Sequence, residues 1–399
     1  MSLGNEEPPR ILVLVENLSV PFDRRVWQES RALLEAGFGV DVICPKGDNR
    51  DAEEFAEIEG VFIHRYPLRA ATGGPFGYVR EYGLALWHTA RIGVRLGRRH
   101  RYVAVHACNP PDMLFLPVLW MRLRGTKFVF DHHDLVPELY VSRFGESKKW
   151  MHRISGLLER MTLKFAHGVI STNESYRQVA IERGGKHPDT VQVVRSAPDL
   201  NRFRSANADP ALRRGKEHLA CYVGVMGPQD GVDYALRALA HLRDRRDDFH
   251  AIFVGSGDVF DDLKALSVSL GLDDLVEFTG RISDDELATV IATADVGIAP
   301  DPRNPLNDVS TMNKIMEYMA LGVPIVSFDL IETRVSAGDA AVYAEPNDER
   351  EFGALIGELF DDPSRRECMA AIGTKRVSGE LSWAVSSRNL VDFYERVLT

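Results

Sequence analysis

No apolar run in this 399-residue chain is longer than MLFLPVLWM, residues 113 to 121. A helix needs about 20 apolar residues to span a bilayer, so no transmembrane segment is expected. The opening stretch MSLGNEEPPR carries acid and proline where a secretory leader would carry base and an apolar core. Cysteine is scarce. Cys44, Cys108, Cys221 and Cys368 lie too far apart in sequence to form a zinc or redox motif. A reducing cytoplasm is the expected setting. No Asp-x-Asp occurs and no paired carboxylates sit in a short motif, so a metal-held phosphate site is not expected and no cofactor is assigned. The first apolar run, ILVLVENLSVPF, lacks the glycine fingerprint that a nicotinamide dinucleotide would need.

What is present reads as an ordinary soluble chain, with 45% hydrophobic and 27% charged residues. The net charge of −10 is unevenly spread: residues 1–200 carry +3 and the remainder −13. The window 91–164 holds 14 basic residues against 6 acidic ones, with Trp120 and Trp150 among them. That pattern suits peripheral attachment to an anionic membrane surface on its inner, cytoplasmic face, or a lipid-phosphate acceptor. A solvated basic face is the plainer alternative. No nucleic-acid partner is expected.

Short β-branched runs alternate with helical patterns. ILVLV, VDVICP, VAVHA, KFVFDHHD, GVIST and VQVV mark one series, with a helix expected over 112–123 and another capped by Asn173. After the polar, proline-containing stretch 195–217 a second series runs through LACYVGV, HAIFVG, VEFTG, DVGIAP and VPIVSF. Ser283 and Glu286 stand at capping-box spacing. Nearly continuous apolar strands joined by helices mean a parallel sheet covered on both faces. The expectation is therefore α/β: two tandem Rossmann-like open parallel-sheet domains facing across a cleft, with residues 10–198 plus 384–399 forming one and 199–383 the other. Open sheets bind ligands beyond the carboxyl ends of their strands.

Several residues fall there. Lys314 and Glu317 lie one turn apart at the start of a helix, in DVSTMNKIMEYMALGVPIV. A cation at a helix N-terminus makes sense if a diphosphate sits beside it, with Ser310 and Thr311 capping the helix or donating to the same oxygens. Glu317 would then meet the attached ribose and accept from both its hydroxyls. A surface Lys–Glu pair is the alternative. Gly255 and Gly257, and Gly227 in an earlier turn, would let backbone approach a nucleotide. Arg24 and Arg25 at another helix start could hold a phosphate or acceptor, and Asp112 stands at a strand end on the same wall. His132, His133 and Asp134 end a further strand. Adjacent histidines on an extended segment point to opposite sides and seldom share an ion.

The runs YVGVMGPQDGVDYALRAL, FVGSGDVFDDLKALSVSLGLDDLVEFTGRISDDEL, ADVGIAP and KIMEYMALGVPIV resemble retaining glycosyltransferases of the GT-B fold, the fourth family of sugar transferases. RRVWQESRALLEAGFGVDVICP and PDLNRF match more loosely, so the resemblance covers nearly the whole chain. It implies that Glu317 holds the nucleotide ribose, that His133 lies near the donor sugar and reaction centre, and that Gly255 and Gly257 flank the nucleotide. It also implies that the final helix returns to the N-terminal domain. The chain departs from the family at Val225 and Asp230, where an Arg and a Lys usually clamp the diphosphate, and at Val309, where a first glutamate is usual; Asp308 is one place off. Lys314, with Arg24, Arg25 or Arg195, would then supply the positive charge. The implied function is metal-independent transfer of a sugar, with retention, from a nucleotide-sugar donor such as a UDP-sugar. The acceptor is a glycan or lipid-linked hydroxyl, in bacterial surface-polysaccharide assembly. A UDP-sugar 2-epimerase of the same fold and a non-catalytic partner subunit are the rival readings.

Overall fold

A computed structural model describes residues 8–47, 51–68, 74–144, 149–200 and 206–399. The chain divides into two compact units, residues 1–195 with 386–399, and residues 196–385.

The first unit is built on an eight-stranded sheet of order β3-β4-β2-β1-β5-β6-β7-β8. In chain order these strands are Arg10–Leu14, Gly39–Pro45, Phe55–Ile58, Val61–Tyr66, Tyr102–Cys108, Lys127–His132, Gly168–Ser171 and Val191–Val193. All pairings are parallel except β3 with β4. Alternate residues Leu12 and Leu14, Val105 and Ala107, and Phe128 and Phe130 share one buried cluster. That is the period-2 signature of a covered sheet face. The helix Glu174–Glu182 is capped by Asn173, whose side chain accepts from the Tyr176 N–H at 2.7 Å. The helix expected over 112–123 is instead a 3-10 turn at Leu116–Val118 followed by the short helix Leu119–Arg122. Pro117, in the middle of the run, supplies no N–H to a longer ladder. The PDLNRF stretch lies partly outside the described residues.

The second unit has six strands, all parallel, in the order β11-β10-β9-β12-β13-β14. They are β9 His218–Val223, β10 Phe249–Val254, β11 Val276–Gly280, β12 Val296–Ala299, β13 Ile325–Phe328 and β14 Ala341–Ala344. Along β9, Ala220 and Tyr222 face one core while Leu219, Cys221 and Val223 face another. Both faces are therefore buried, as continuous apolar strands require. The capping box at the helix Asp284–Thr293 is complete: Ser283 N–H donates to Glu286 at 2.8 Å, and Glu286 N–H donates to the Ser283 hydroxyl at 3.3 Å.

Candidate active site

The carboxyl ends of β9, β10 and β12 are tightly meshed. A Cβ on Gly255 would lie 1.8 Å from the Gly224 carbonyl oxygen, and one on Gly257 would lie 2.4 Å from that of Met226. A Cβ on Gly231, at φ +67°, would lie 2.1 Å from the Pro300 carbonyl oxygen. These glycines are required first by loop-on-loop packing, and any closeness to a ligand comes on top of that. The Gly227 N–H donates to Asp230 Oδ2 at 2.8 Å, so Asp230, standing where the family usually has a lysine, closes its own turn. Val225, the other departure, is exposed, and its carbonyl accepts from the Tyr222 hydroxyl at 2.7 Å. Asn307 Nδ2 ties the third loop to the first, donating to the Gln229 and Pro302 carbonyls at 2.9 Å each.

The helix Asn313–Ala320 starts from this platform. Met312 offers it no capping side chain, and its first turn has no acidic residue. Ser310, placed by the sequence to cap this helix or to donate to a ligand's oxygens, donates its hydroxyl to the Leu306 carbonyl at 2.7 Å. Thr311 is half-buried and, like Ser310, lies ahead of the N-cap position. Lys314 is not the open cation the sequence suggested. It is buried, and Nζ donates to both oxygens of Asp301 at 2.7 and 2.9 Å, with the Tyr222 ring centroid 5.1 Å away. Sequence reasoning missed Asp301. Its signal was its place directly after a strand end, in ADVGIAPDPRN. Glu317 lies one turn further on and is half-buried.

In the first unit Arg25 is likewise buried and committed. Its Nε and one terminal nitrogen donate to the two oxygens of Asp131 at 3.0 and 2.7 Å, and the other terminal nitrogen donates to the Val194 carbonyl at 2.9 Å. A phosphate role for Arg25 is corrected on that ground, because the buried guanidinium is already engaged by Asp131, Glu29 and the Val194 carbonyl. Arg24 is exposed at the start of the same helix. His132 and His133 do turn to opposite sides: His132 Nε2 lies 3.1 Å from Glu159 Oε1, and His133 Nδ1 lies 3.0 Å from Asp131 Oδ2. Asp112 is buried, with Oδ1 accepting from Asn109 Nδ2 at 2.9 Å and Oδ2 unpartnered. Burial, only partly offset by His132 and Asn109, pushes its carboxyl up to about 7.

Glu29, His106, Cys108 and Asp131 bring four donor atoms within 4.8 Å of one another, close enough for a metal ion. The Arg25 guanidinium, however, contacts both carboxylates, at 2.7 Å from Asp131 and 3.0 Å from Glu29. It already supplies the positive charge a metal would bring. Burial also pushes the Cys108 thiol well above its ordinary range, which opposes the thiolate a metal needs.

Residues 23–196 match the glycosyl transferase 4-like domain and residues 217–362 match glycosyl transferases group 1. Between them the two models account for most of the chain, which belongs to this glycosyltransferase family. It is 30% identical over 257 residues to a D-inositol 3-phosphate glycosyltransferase of Thermomonospora curvata, a match spanning 59% of this chain and 58% of that protein. It is 26% identical over 397 residues to a 2-deoxystreptamine glucosyltransferase of Streptomyces kanamyceticus, covering 94% of this chain and 98% of that one. The solved structure of Anabaena HepE with UDP and glucose superposes with a TM-score of 0.71 at 14% identity, over 97% of this chain and all of that one. The chain is thus a glycosyltransferase with two parallel-sheet α/β domains of GT-B type.

Proposed function

We propose that this glycosyltransferase takes a hexose from a nucleoside diphosphate, UDP being the nucleotide, and passes it with retention to a hydroxyl acceptor without a metal. The observation that carries this reading is the open start of the helix Asn313–Ala320. It has no side-chain cap and no acidic first turn, and its one cation is neutralised by Asp301. The Ile315 N–H already donates to the Met312 carbonyl at 3.1 Å, and the N–H groups of Asn313 and Lys314 with the dipole of that end would bind an anion. Lys314 acts through Asp301, pinning the loop after β12 to the helix. Glu317, one turn along, accepts from the ribose hydroxyls. The packed glycines at Gly224, Gly227, Gly255 and Gly257 form the wall beside the nucleotide, rigid before it binds. The UDP held by the Anabaena HepE structure and the glucosyl transfer named for the Streptomyces relative support the choice of donor.

The acceptor falls to the first unit, with His133 contacting substrate and Arg24 the arginine placed to reach its charged groups. Asp112 acts by holding Asn109. The same unit carries an exposed series, Arg91, Arg95, Arg98, Arg99 and Arg101, none paired with a carboxylate among the described residues. With the exposed Trp87 they line adjoining concavities of about 560 and 530 Å³. That chemistry suits the headgroups of an anionic membrane carrying a lipid-linked acceptor, on the cytoplasmic face.

Calorimetry with UDP, GDP and uridine, with and without EDTA, and NMR of the product anomer test the donor half. UDP binding that EDTA does not change, and a product that keeps the donor's anomeric configuration, are expected. Binding abolished by EDTA, or an inverted product, would overturn it.

A further inference from the structure

We propose that Asp131 is a positioning residue for His133: it ties Nδ1, leaves Nε2 as the atom that meets substrate, and keeps the ring a charged hydrogen-bond donor. This rests on the reading of His133 as a substrate contact.

Asp131 is itself held rigidly. It is fully buried on β6, and the Arg25 fork fixes both of its oxygens. Oδ2 faces His133 Nδ1 at 3.0 Å and His106 Nε2 at 3.9 Å. His106 is anchored in turn, with Nδ1 2.8 Å from the Tyr394 hydroxyl and Nε2 3.2 Å from Glu29. The carboxylate therefore cannot rotate away from the imidazole.

The backbone under the ring is fixed from the other side. Asn109, fully buried, accepts through Oδ1 from the N–H groups of His133 and Asp134 at 2.9 and 3.1 Å. Its Nδ2 donates to Asp112 Oδ1 at 2.9 Å and to the Asp134 carbonyl at 2.6 Å. The ring is thus oriented before any substrate arrives, which is the condition for an effective contact.

The tautomer follows from Asp131. Burial would raise its carboxyl, but Arg25 and His133 hold it well below the ordinary range. An ionised carboxylate only accepts, so Nδ1 carries a hydrogen whether the ring is neutral or charged. Only Nε2 can gain or lose a proton. It has no partner among the described residues, and 11% of the side chain stays accessible.

The groups facing the ring decide its charge. Asp131 and Asp134 stand on its own segment, and Asp23 and Arg25 come from the start of the helix Arg24–Glu35. Burial alone would lower the imidazole; Asp131 first, then Asp134, outweigh it and lift the ring to about 9. At neutral pH the ring is then a cation and Nε2–H a donor to a substrate oxygen. Its contribution to turnover is present below about pH 9 and is lost as pH rises through that value.

The test is an NMR titration of 15N-histidine-labelled protein, with His133→Gln assigning the signal, beside pH profiles of turnover. In the wild type His133 should titrate near pH 9, with the proton leaving Nε2. In Asp131→Asn the titration should fall back towards the ordinary value of about 6.5. The alkaline limb of kcat should move down with it, while donor KM is unchanged. A His133 titration that does not respond to Asp131→Asn overturns the proposal. If that variant does not fold, the wild type decides: a ring neutral at pH 7.5, or one whose neutral form carries its hydrogen on Nε2, overturns it. Wild-type turnover in His133→Gln, with an intact Asp131 response, would instead remove His133 from the reaction and leave the coupling standing.

Discussion

The two units finish their helices differently. In the first, two of the longer helix starts are closed by side chains: Asp23 accepts from the Val26 N–H at 3.0 Å and Asn173 from that of Tyr176 at 2.7 Å, while the single-turn helix Leu119–Arg122 has no such cap. In the second, the helices Val232–Arg243, Phe260–Ser269 and Asn313–Ala320 begin at Gly231, Val259 and Met312, none of which supplies a capping bond. These three follow β9, β10 and β12, in the middle of the sheet. The helix after the edge strand β11 has a full capping box, and Asp348 and Asp362 cap the two helices after β14. A missing cap costs about 1 kcal/mol. The helix after β13, Ile331–Ala337, has no cap from Leu330, but its Ile331 N–H donates to Asp308 at 3.1 Å, so the starts after β9, β10 and β12 are the ones an anionic ligand would complete.

The comparison is broken hardest at Lys314. Lys314→Ala would strand the Asp301 carboxylate, which is 1% exposed. Removing one partner of a buried pair costs about 3–5 kcal/mol, so the urea midpoint of the second unit should fall steeply. Lys314→Met with Asp301→Asn should recover most of that loss. A single variant as stable as wild type would mean the pair bears no load.

That pair also marks the limit of the sequence. Alternating apolar runs made both parallel sheets legible, because burial on two faces leaves an uninterrupted trace. The hairpin strands Phe55–Ile58 and Val61–Tyr66 and the last strand Ala341–Ala344 escaped notice: the first and last are short edge strands with a weak pattern, and Val61–Tyr66 carries His64 and Arg65 where a continuous apolar run would show. The helix register placed Lys314 and Glu317 one turn apart. It said nothing about which carboxylate would reach the lysine, since Asp301 comes from another loop. Arg25 and Asp131 are separated by 106 positions and meet only through the order of the strands. Spacing identifies the face of an element; partners across the sheet come from tertiary packing.

The next break is at Glu317. Glu317→Ala should weaken uridine and UDP alike, by about 1.5–3 kcal/mol if the ribose bonds are charge-assisted. In affinity that is roughly tenfold to over a hundredfold. Dideoxy analogues should bind the variant as well as UDP does. Unchanged affinities for both ligands in calorimetry would move the ribose elsewhere.

Ser283→Ala sharpens the contrast from the capped side. Loss of the box should cost about 0.5–2 kcal/mol of stability. Nucleotide affinity should stay at the wild-type value, because that helix end is already filled from within. A drop in UDP affinity beyond what lower stability explains would show that the capped and open ends do not divide the work.

The smallest expected effects come from the arginines, which the two units also treat differently. In the second unit Arg213 pairs with Asp295, Arg237 with Asp233 and Glu349, and Arg246 with Asp248 and Asp361, while the exposed Arg245, Arg281 and Arg350 lie scattered along the chain with no carboxylate partner among the described residues. In the first, Arg91, Arg95, Arg98, Arg99 and Arg101 meet no carboxylate among the described residues, although the chain as a whole is acidic at −10. Unpaired like charges side by side repel one another, and an anionic surface relieves that. Each arginine near such a surface contributes about 1 kcal/mol at low salt, less as the Debye length shortens. Arg98→Gln and Arg99→Gln should therefore each weaken binding to phosphatidylserine vesicles about fivefold, in steps that shrink between 50 and 500 mM salt. Arg246→Gln, which removes a charge already neutralised, should leave vesicle binding unchanged. Equal binding of wild type to neutral and anionic vesicles would end the membrane reading. Equal losses from Arg98→Gln and Arg246→Gln would show that net charge matters and the unpaired surface does not.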